Sequence, residues 1–202
     1  MAVTESLALG FRNIYELGAM SVPDAPPARA VDEAAFRELY QAEFGYVFNS
    51  LRRLGVPSKD LEDLSHDTFA TAWRRRADFV QGRAVKPWLF GIAFRVASDF
   101  RKLARHRHEV VDEGQDASSG SPSPEQDLHR AQERQQVLDA LGALEPDRRA
   151  VFILHEIDGQ PIPEVAQALG VPVNTAYSRL RLGRQDFAEA VLRQQAQRRS
   201  HE

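Results

Sequence analysis

Cysteine is absent from all 202 residues. That excludes disulfides, thiol nucleophiles and every Cys-ligated zinc or iron–sulfur site, and it fits a reducing, cytoplasmic setting. Long apolar runs are absent too. No stretch approaches the roughly 18 residues a membrane span needs, so no membrane insertion is expected. No basic segment leads into an apolar core at the N-terminus, so no secretory signal is expected. Alternating apolar and polar residues over strand length are missing. So are a phosphate-binding glycine loop, a nucleophile elbow and a metalloprotease histidine pair: His155-Glu156 has no second histidine at helical spacing, and His106 and His108 sit in a basic segment, as surface histidines do. These absences argue against an enzyme and leave no cofactor or metal to assign. Net charge is also small, with 26 Lys+Arg against 29 Asp+Glu, or −3. Such a total carries no electrostatic footprint of a nucleic-acid partner.

The total hides segregation. Residues 1–35 carry a net −3, residues 36–108 a net +6, residues 109–128 six acids and no base, and residues 129–202 ten charges of each sign. The second block is itself polarised. Four acids and no base fall between Asp60 and Asp67, while seven bases and one acid fall between Arg83 and Arg107. An acidic and a basic patch on one small unit point to two different partners.

Apolar spacing predicts helices throughout. Residues 1–30 show no sustained period and end in Pro23, Pro26 and Pro27, so they read as a disordered tail in which Met20 is an alternative start. Phe36, Leu39, Tyr40, Phe44, Val47, Phe48, Leu51 and Leu54 form a stripe that Gly55 and Pro57 end. Ser58 is placed to cap a second helix, with Leu61, Leu64, Thr68, Phe69, Ala72 and Trp73 on one side. After a loop from Phe79 to Lys86, Pro87 suits the first turn of a third helix, where no amide is needed. That helix directs Leu89, Ile92, Ala93, Val96, Phe100 and Leu103 inward. Residues 109–126, rich in Gly, Ser, Pro and acids, form no packed element. Leu138, Leu141 and Leu144, then Val151, Leu154 and Ile157, mark two further helices. The expected fold is all-α: two small helical domains joined by a flexible acidic linker.

The second domain ends in a short helix, a glycine turn and another helix, Pro163 to Ala176 and beyond. Ala166 permits a close crossing, Gly170 suits a left-handed cap, and Val165, Leu169 and Val173 clamp the pair. This is the helix-turn-helix pattern, which leaves one face of its second helix for the major groove. That face would present Asn174, Thr175, Tyr177, Ser178, Arg181 and Arg184, with Arg179 beside it. These polar and basic types read base edges and phosphates.

Four stretches together resemble bacterial sigma factors of the sigma-70 class, in the extracytoplasmic-function group. They are Phe36 to Tyr40; Asp60-Leu61-Glu62-Asp63-Leu64-Ser65-His66-Asp67-Thr68-Phe69 followed by Ala72-Trp73; Trp88-Leu89-Phe90-Gly91-Ile92-Ala93 followed by Asp99; and Leu144 through Arg184. The resemblance implies a tail over residues 1–30, region 2 over 31–108, a flexible acidic linker over 109–128, region 4 over 129–193 and a C-terminal tail over 194–202. It implies an alternative sigma factor that binds core RNA polymerase through the β′ clamp helices and the β subunit, recognises promoter DNA and promotes melting. It also implies an anti-sigma partner.

By the same resemblance, Asp60, Glu62, Asp63, Leu64, Asp67 and Phe69 bind core polymerase, acids steering and apolar residues burying surface. Phe79, Arg83, Lys86, Arg95, Arg101, Lys102 and Arg105 hold the melted minus-ten strand, which needs stacking surface and cations along the backbone. Asn174, Thr175, Tyr177, Ser178, Arg179, Arg181 and Arg184 contact the minus-thirty-five element. For Phe79, Trp73 and Trp88 core packing is the competing role, and for Arg179 a bridge within the domain.

The chain departs from the family pattern at several positions. Arg95 stands where many members have Asn, His66 at the usual Gln position, and Tyr177 and Leu182 where some place basic contacts. Gly91 replaces a common Arg, at roughly 1 kcal/mol of helix propensity against Ala. The competing class is a helix-turn-helix regulator that acts without core polymerase. The Asp60–Phe69 stretch argues against it, since such a regulator needs no acidic docking surface.

Overall fold

The computed structural model describes residues 32–79, 82–108 and 125–199. The N-terminal segment and the linker up to residue 124 lie outside them. The described residues form seven α-helices and no strand. Helix α1 (Glu33–Arg53) starts where the Asp32 carboxylate accepts the Ala35 amide at 2.8 Å, a standard N-cap. Helix α2 (Leu61–Arg74) follows a 3₁₀ turn, Ser58–Asp60. Ser58 therefore does not cap it; Asp60 occupies the N-cap position, and its side chain makes no capping bond. Helix α3 (Val85–His108) takes Pro87 into its first turn, as expected.

Helix α4 (Glu125–Gly142) begins inside the stretch read as linker. Helix α5 (Pro146–Phe152) runs on through a π turn, Ile153–Ile157. Helix α6 (Ile162–Leu169) stops at Gly170, whose φ of 68° puts it in the left-handed region open to glycine. Helix α7 (Val173–Arg199) passes the expected boundary at residue 193, so residues 194–199 continue the helix instead of forming a tail.

Helices α1, α2 and α3 pack on one another as the first unit, and α4 to α7 form the second. The two units do not stand apart. Helix α3 packs on α6 and α1 on α4. Leu54, Leu89 and Ile92 of the first unit and Leu141, Val151 and Val165 of the second belong to one buried apolar cluster. Two expected inward residues are exposed: Leu103 by 54% and Val173 by 41%. Both lie on the predicted faces, but among the described residues no neighbour covers those faces there.

Candidate polymerase and promoter interfaces

Helix α2 divides cleanly into two faces. Leu61, Leu64, Ser65, Thr68, Phe69 and Ala72 are buried at helical spacing. The two buried hydroxyls are satisfied one turn back: Ser65 Oγ donates to the Leu61 carbonyl at 2.6 Å and Thr68 Oγ1 to that of Leu64 at 2.7 Å. Opposite them Glu62, Asp63, His66 and Asp67 face solvent, with Asp60 half-buried at the start. Acids in the first turn also suit the helix dipole. His66, at the family's Gln position, stacks on Tyr40 with ring centroids 6.2 Å apart, and its Nδ1 lies 3.3 Å from the Tyr40 hydroxyl.

The structure corrects two core-binding assignments. Leu64 and Phe69 are 8% and 3% exposed. Phe69 packs on Tyr40, with centroids 4.7 Å apart, and edge-on to Phe36. Both residues hold α2 in place and offer a partner no surface. Trp73 packs on Phe36 at 5.0 Å and lies under the Arg76 guanidinium at 4.0 Å.

The loop before α3 borders a cavity of about 620 Å³. Phe79 and Trp88 meet there, 5.1 Å between centroids, and both are only half-buried. The pair thus packs on itself and still presents aromatic surface. Arg75, Arg83 and Arg95 supply positive charge around it. Partial burial and the nearby Arg75 hold the Arg95 guanidinium below its ordinary pKa. Crowded cations of this kind favour an anionic ligand. The far wall comes from the other unit: Glu164, Gln167 and Ala168 of α6.

The remaining minus-ten candidates separate. Lys86 is exposed, its Nζ 5.5 Å from the centre of the Tyr46 ring. Arg101 turns inward and donates to the Leu54 carbonyl at 3.1 Å and to Ser98 Oγ at 3.0 Å, so its place is structural. Lys102 is exposed and pairs with Asp99 at 3.2 Å. Arg105 lies two residues beyond Leu103 on the same helix.

On α7, Asn174, Tyr177, Ser178 and Arg181 are exposed and Thr175 is half-buried. Ser178 Oγ donates to the Asn174 carbonyl at 3.0 Å. Arg179 is tied to Asp147 of α5, and Arg184 to Glu156 at 2.6 Å. Arg181 has no ion-pair partner among the described residues. It is the base on this face left uncommitted by the fold.

Sequence reasoning missed the residues that join the units. The Tyr46 hydroxyl donates to Asp158 Oδ2 at 2.7 Å, and Arg53 Nη1 lies 3.4 Å from Asp158 Oδ1. Burial, reinforced by the adjacent carboxylate, pushes the Tyr46 hydroxyl pKa up. Burial also raises that of Asp158, against the hydrogen bond from Tyr46 and the charges of Arg53 and Lys86. Arg149 of α5 donates to the Leu54 carbonyl at the end of α1 (3.0 Å) and to the Gly142 and Leu144 carbonyls at 2.7 and 3.0 Å. Burial and the neighbouring Arg101 lower its pKa. Local spacing gives no sign of these pairs; Asp158-Gly159 reads merely as a turn.

The family model described as Sigma-70 region 2 matches residues 39–107, and the one described as Sigma-70, region 4 matches residues 134–187. RNA polymerase sigma factor NccH of Alcaligenes xylosoxydans xylosoxydans is 31% identical over 79% of this chain and 89% of its own length. The ECF RNA polymerase sigma factor SigL of Mycobacterium tuberculosis is 30% identical over 76% of this chain and 86% of its own. Among solved structures, the sigma factor RpoE in complex with the anti-sigma factor NepR, from Bartonella quintana, superposes with a TM-score of 0.61 at 25% identity. It covers 77% of this chain and 96% of its own.

Proposed function

The chain belongs to the extracytoplasmic-function group of the sigma-70 family, and from that membership we propose how its surfaces divide the work of initiation. It is an alternative sigma factor for transcription initiation with core RNA polymerase. In this reading Glu62, Asp63 and Asp67, with Asp60 at their edge, dock on the polymerase. Phe79, Trp88, Arg83, Lys86 and Arg95 hold the melted minus-ten strand. Asn174, Tyr177, Ser178 and Arg181 read the minus-thirty-five element. The protein works by binding rather than by catalysis, in the cytoplasm, where the polymerase is. An anti-sigma protein holds it in check, as NepR is bound to RpoE in the solved complex.

One observation carries the reading: a single small unit bears a solvent-facing acidic helix face and a separate cationic aromatic cavity. A DNA-binding regulator needs the second of these and has no use for the first. The test mixes the purified chain with sigma-free core polymerase and a promoter library. Specific transcripts appear only when the chain is present. If the chain adds none, or if the same transcripts form without it, the reading is wrong.

A further inference from the structure

Helix α7 buries Ala176, Leu180, Gly183 and Ala190 against its own unit. Its first turns show solvent a different face. Val173 is 41% exposed and Tyr177 55%. They stand four residues apart, so their side chains are neighbours on one edge of that face. Asn174 and Ser178, also exposed, form its other edge, and Arg181 lies one turn beyond Tyr177. The Ser178 hydroxyl is already donated to the Asn174 carbonyl at 3.0 Å. Among the large apolar side chains that the described residues leave exposed, Val173 and Tyr177 are the two that lie a single turn apart on one helix.

Position decides what such a pair is for. In a helix-turn-helix the N-terminal residues of the second helix meet base edges in the major groove. Donors and acceptors read the polar edges there. The only methyl group that the four bases present in that groove is the 5-methyl of thymine. Contact between that methyl and Val173 or the Tyr177 ring removes apolar surface from water on both sides. We propose that Val173 and the Tyr177 ring read thymine methyl groups in the minus-thirty-five element, while Asn174 and Arg181 beside them take polar edges and phosphate. Side chains one turn apart on a helix are about 5–6 Å from each other, and bases along a strand are about 3.4 Å apart. The two methyls therefore lie on neighbouring base pairs or one pair removed. The inference rests on the functional reading above, which gives this face to the upstream element; the apolar pair adds which base it selects.

The test uses the full chain assembled with core polymerase and a promoter selected by that assembly. Thymines of the upstream element are replaced by uracil one at a time, on each strand. Uracil lacks the methyl and keeps the O4 acceptor and the base pairing. Competition for the assembly reads affinity. Uracil at one or two nearby positions should weaken binding about fourfold each, the effect of leaving one methyl group in water. Tyr177→Ser and Val173→Ser should each erase the preference at one of those positions and leave the other. Tyr177→Phe should keep it, since the ring and not the hydroxyl makes the contact. The salt slope of Tyr177→Ser should equal that of wild type, because no phosphate contact is lost.

A wild-type assembly that accepts uracil at every position without loss overturns the proposal. So does a Tyr177→Ser, Val173→Ser chain that still tells thymine from uracil where wild type does, or a Tyr177→Phe chain that behaves like Tyr177→Ser. These results leave the functional reading standing, because the upstream element is still bound. A chain that fails to join core polymerase, or an assembly that ignores the upstream element altogether, would defeat that reading and this inference with it.

Discussion

Reversing Asp63 and Asp67 together to Lys should weaken binding to core polymerase and leave the fold in place. The two residues stand one turn apart on the exposed face of α2, clear of the buried Leu61, Leu64, Thr68 and Ala72. Their loss therefore opens no cavity. The fold gives up the favourable first-turn charge of Asp63, about 0.3–1 kcal/mol. At the interface each exposed charge contact contributes about 0.2–1 kcal/mol, and reversal replaces attraction by repulsion of similar size. Two reversals then remove roughly 0.8–4 kcal/mol, a fall in affinity of about 4- to 900-fold. The assay is competition of labelled wild-type chain from core polymerase at low and moderate salt, with a thermal melt of each protein beside it. Because the contact is electrostatic, the difference between the two proteins should narrow as salt rises. A folded double variant that competes as well as wild type at low salt would refute the assignment of this face.

Three further outcomes follow from the same geometry. Phe69→Ala should destabilise the chain by about 3–5 kcal/mol in urea denaturation, as a buried aromatic does; a selective loss of polymerase binding at full stability would restore it as a contact residue. Arg181→Ala should weaken binding to a minus-thirty-five duplex and reduce the salt slope by about one. Arg179→Ala should mainly lower stability, by about 0.5–1 kcal/mol, by freeing Asp147. Packing of the two units on each other should also depend on pH through Asp158, whose carboxyl burial holds above its ordinary range. The packed state binds that proton more tightly than a separated one with Asp158 in water. Its stabilisation is complete below the ordinary carboxylate value and is lost as pH rises through the packed-state value. Small-angle scattering as pH rises from the ordinary carboxylate range should thus show a more compact chain at the acid end, and Asp158→Asn should abolish the trend. Tyr46, Arg53 and Lys86 are the groups that face Asp158.

Helix by helix, the sequence was legible where the physics is local. The stripe from Phe36 to Leu54 marked α1, Pro87 marked the first turn of α3, and Gly170 marked the end of α6. Periodicity identifies a face but not what covers it, which is why Leu103 and Val173 were expected inside and are exposed. The same limit applied at the site. Leu64 and Phe69 belong to a stretch with a contact role by resemblance, and on this helix they fall on the inward side. Arg101 counts as a base in the sequence and is a hydrogen-bond donor to α1 in the fold. The union of the two units was illegible because its partners lie far apart. Tyr46 and Asp158 are 112 residues apart and Arg149 and Leu54 95 apart, and no spacing rule links positions so distant.

The composition of the joint bears on whether it can open. A buried ion pair contributes little net stability, since desolvation offsets most of the attraction, but it fixes a particular arrangement. Tyr46, Arg53 and Asp158 all regain water as partner when the units separate, so breaking their bonds orphans no polar atom. The same holds at the end of α1. The Leu54 carbonyl accepts Arg149 from the second unit and also Arg101 from its own, so it keeps a cationic donor after Arg149 withdraws. Arg149 in turn keeps the Gly142 and Leu144 carbonyls, which belong to its own unit. At the crossing of α3 and α6 the Gly91 backbone lies against that of Ala168, and around it the two units share one buried apolar cluster, whose exposure opposes separation. Apart from Arg149 Nε, which is buried without a hydrogen-bond partner in the packed arrangement, the polar groups named here keep a partner in both states. That is the condition for an equilibrium which a few kcal/mol of differential binding by polymerase can shift.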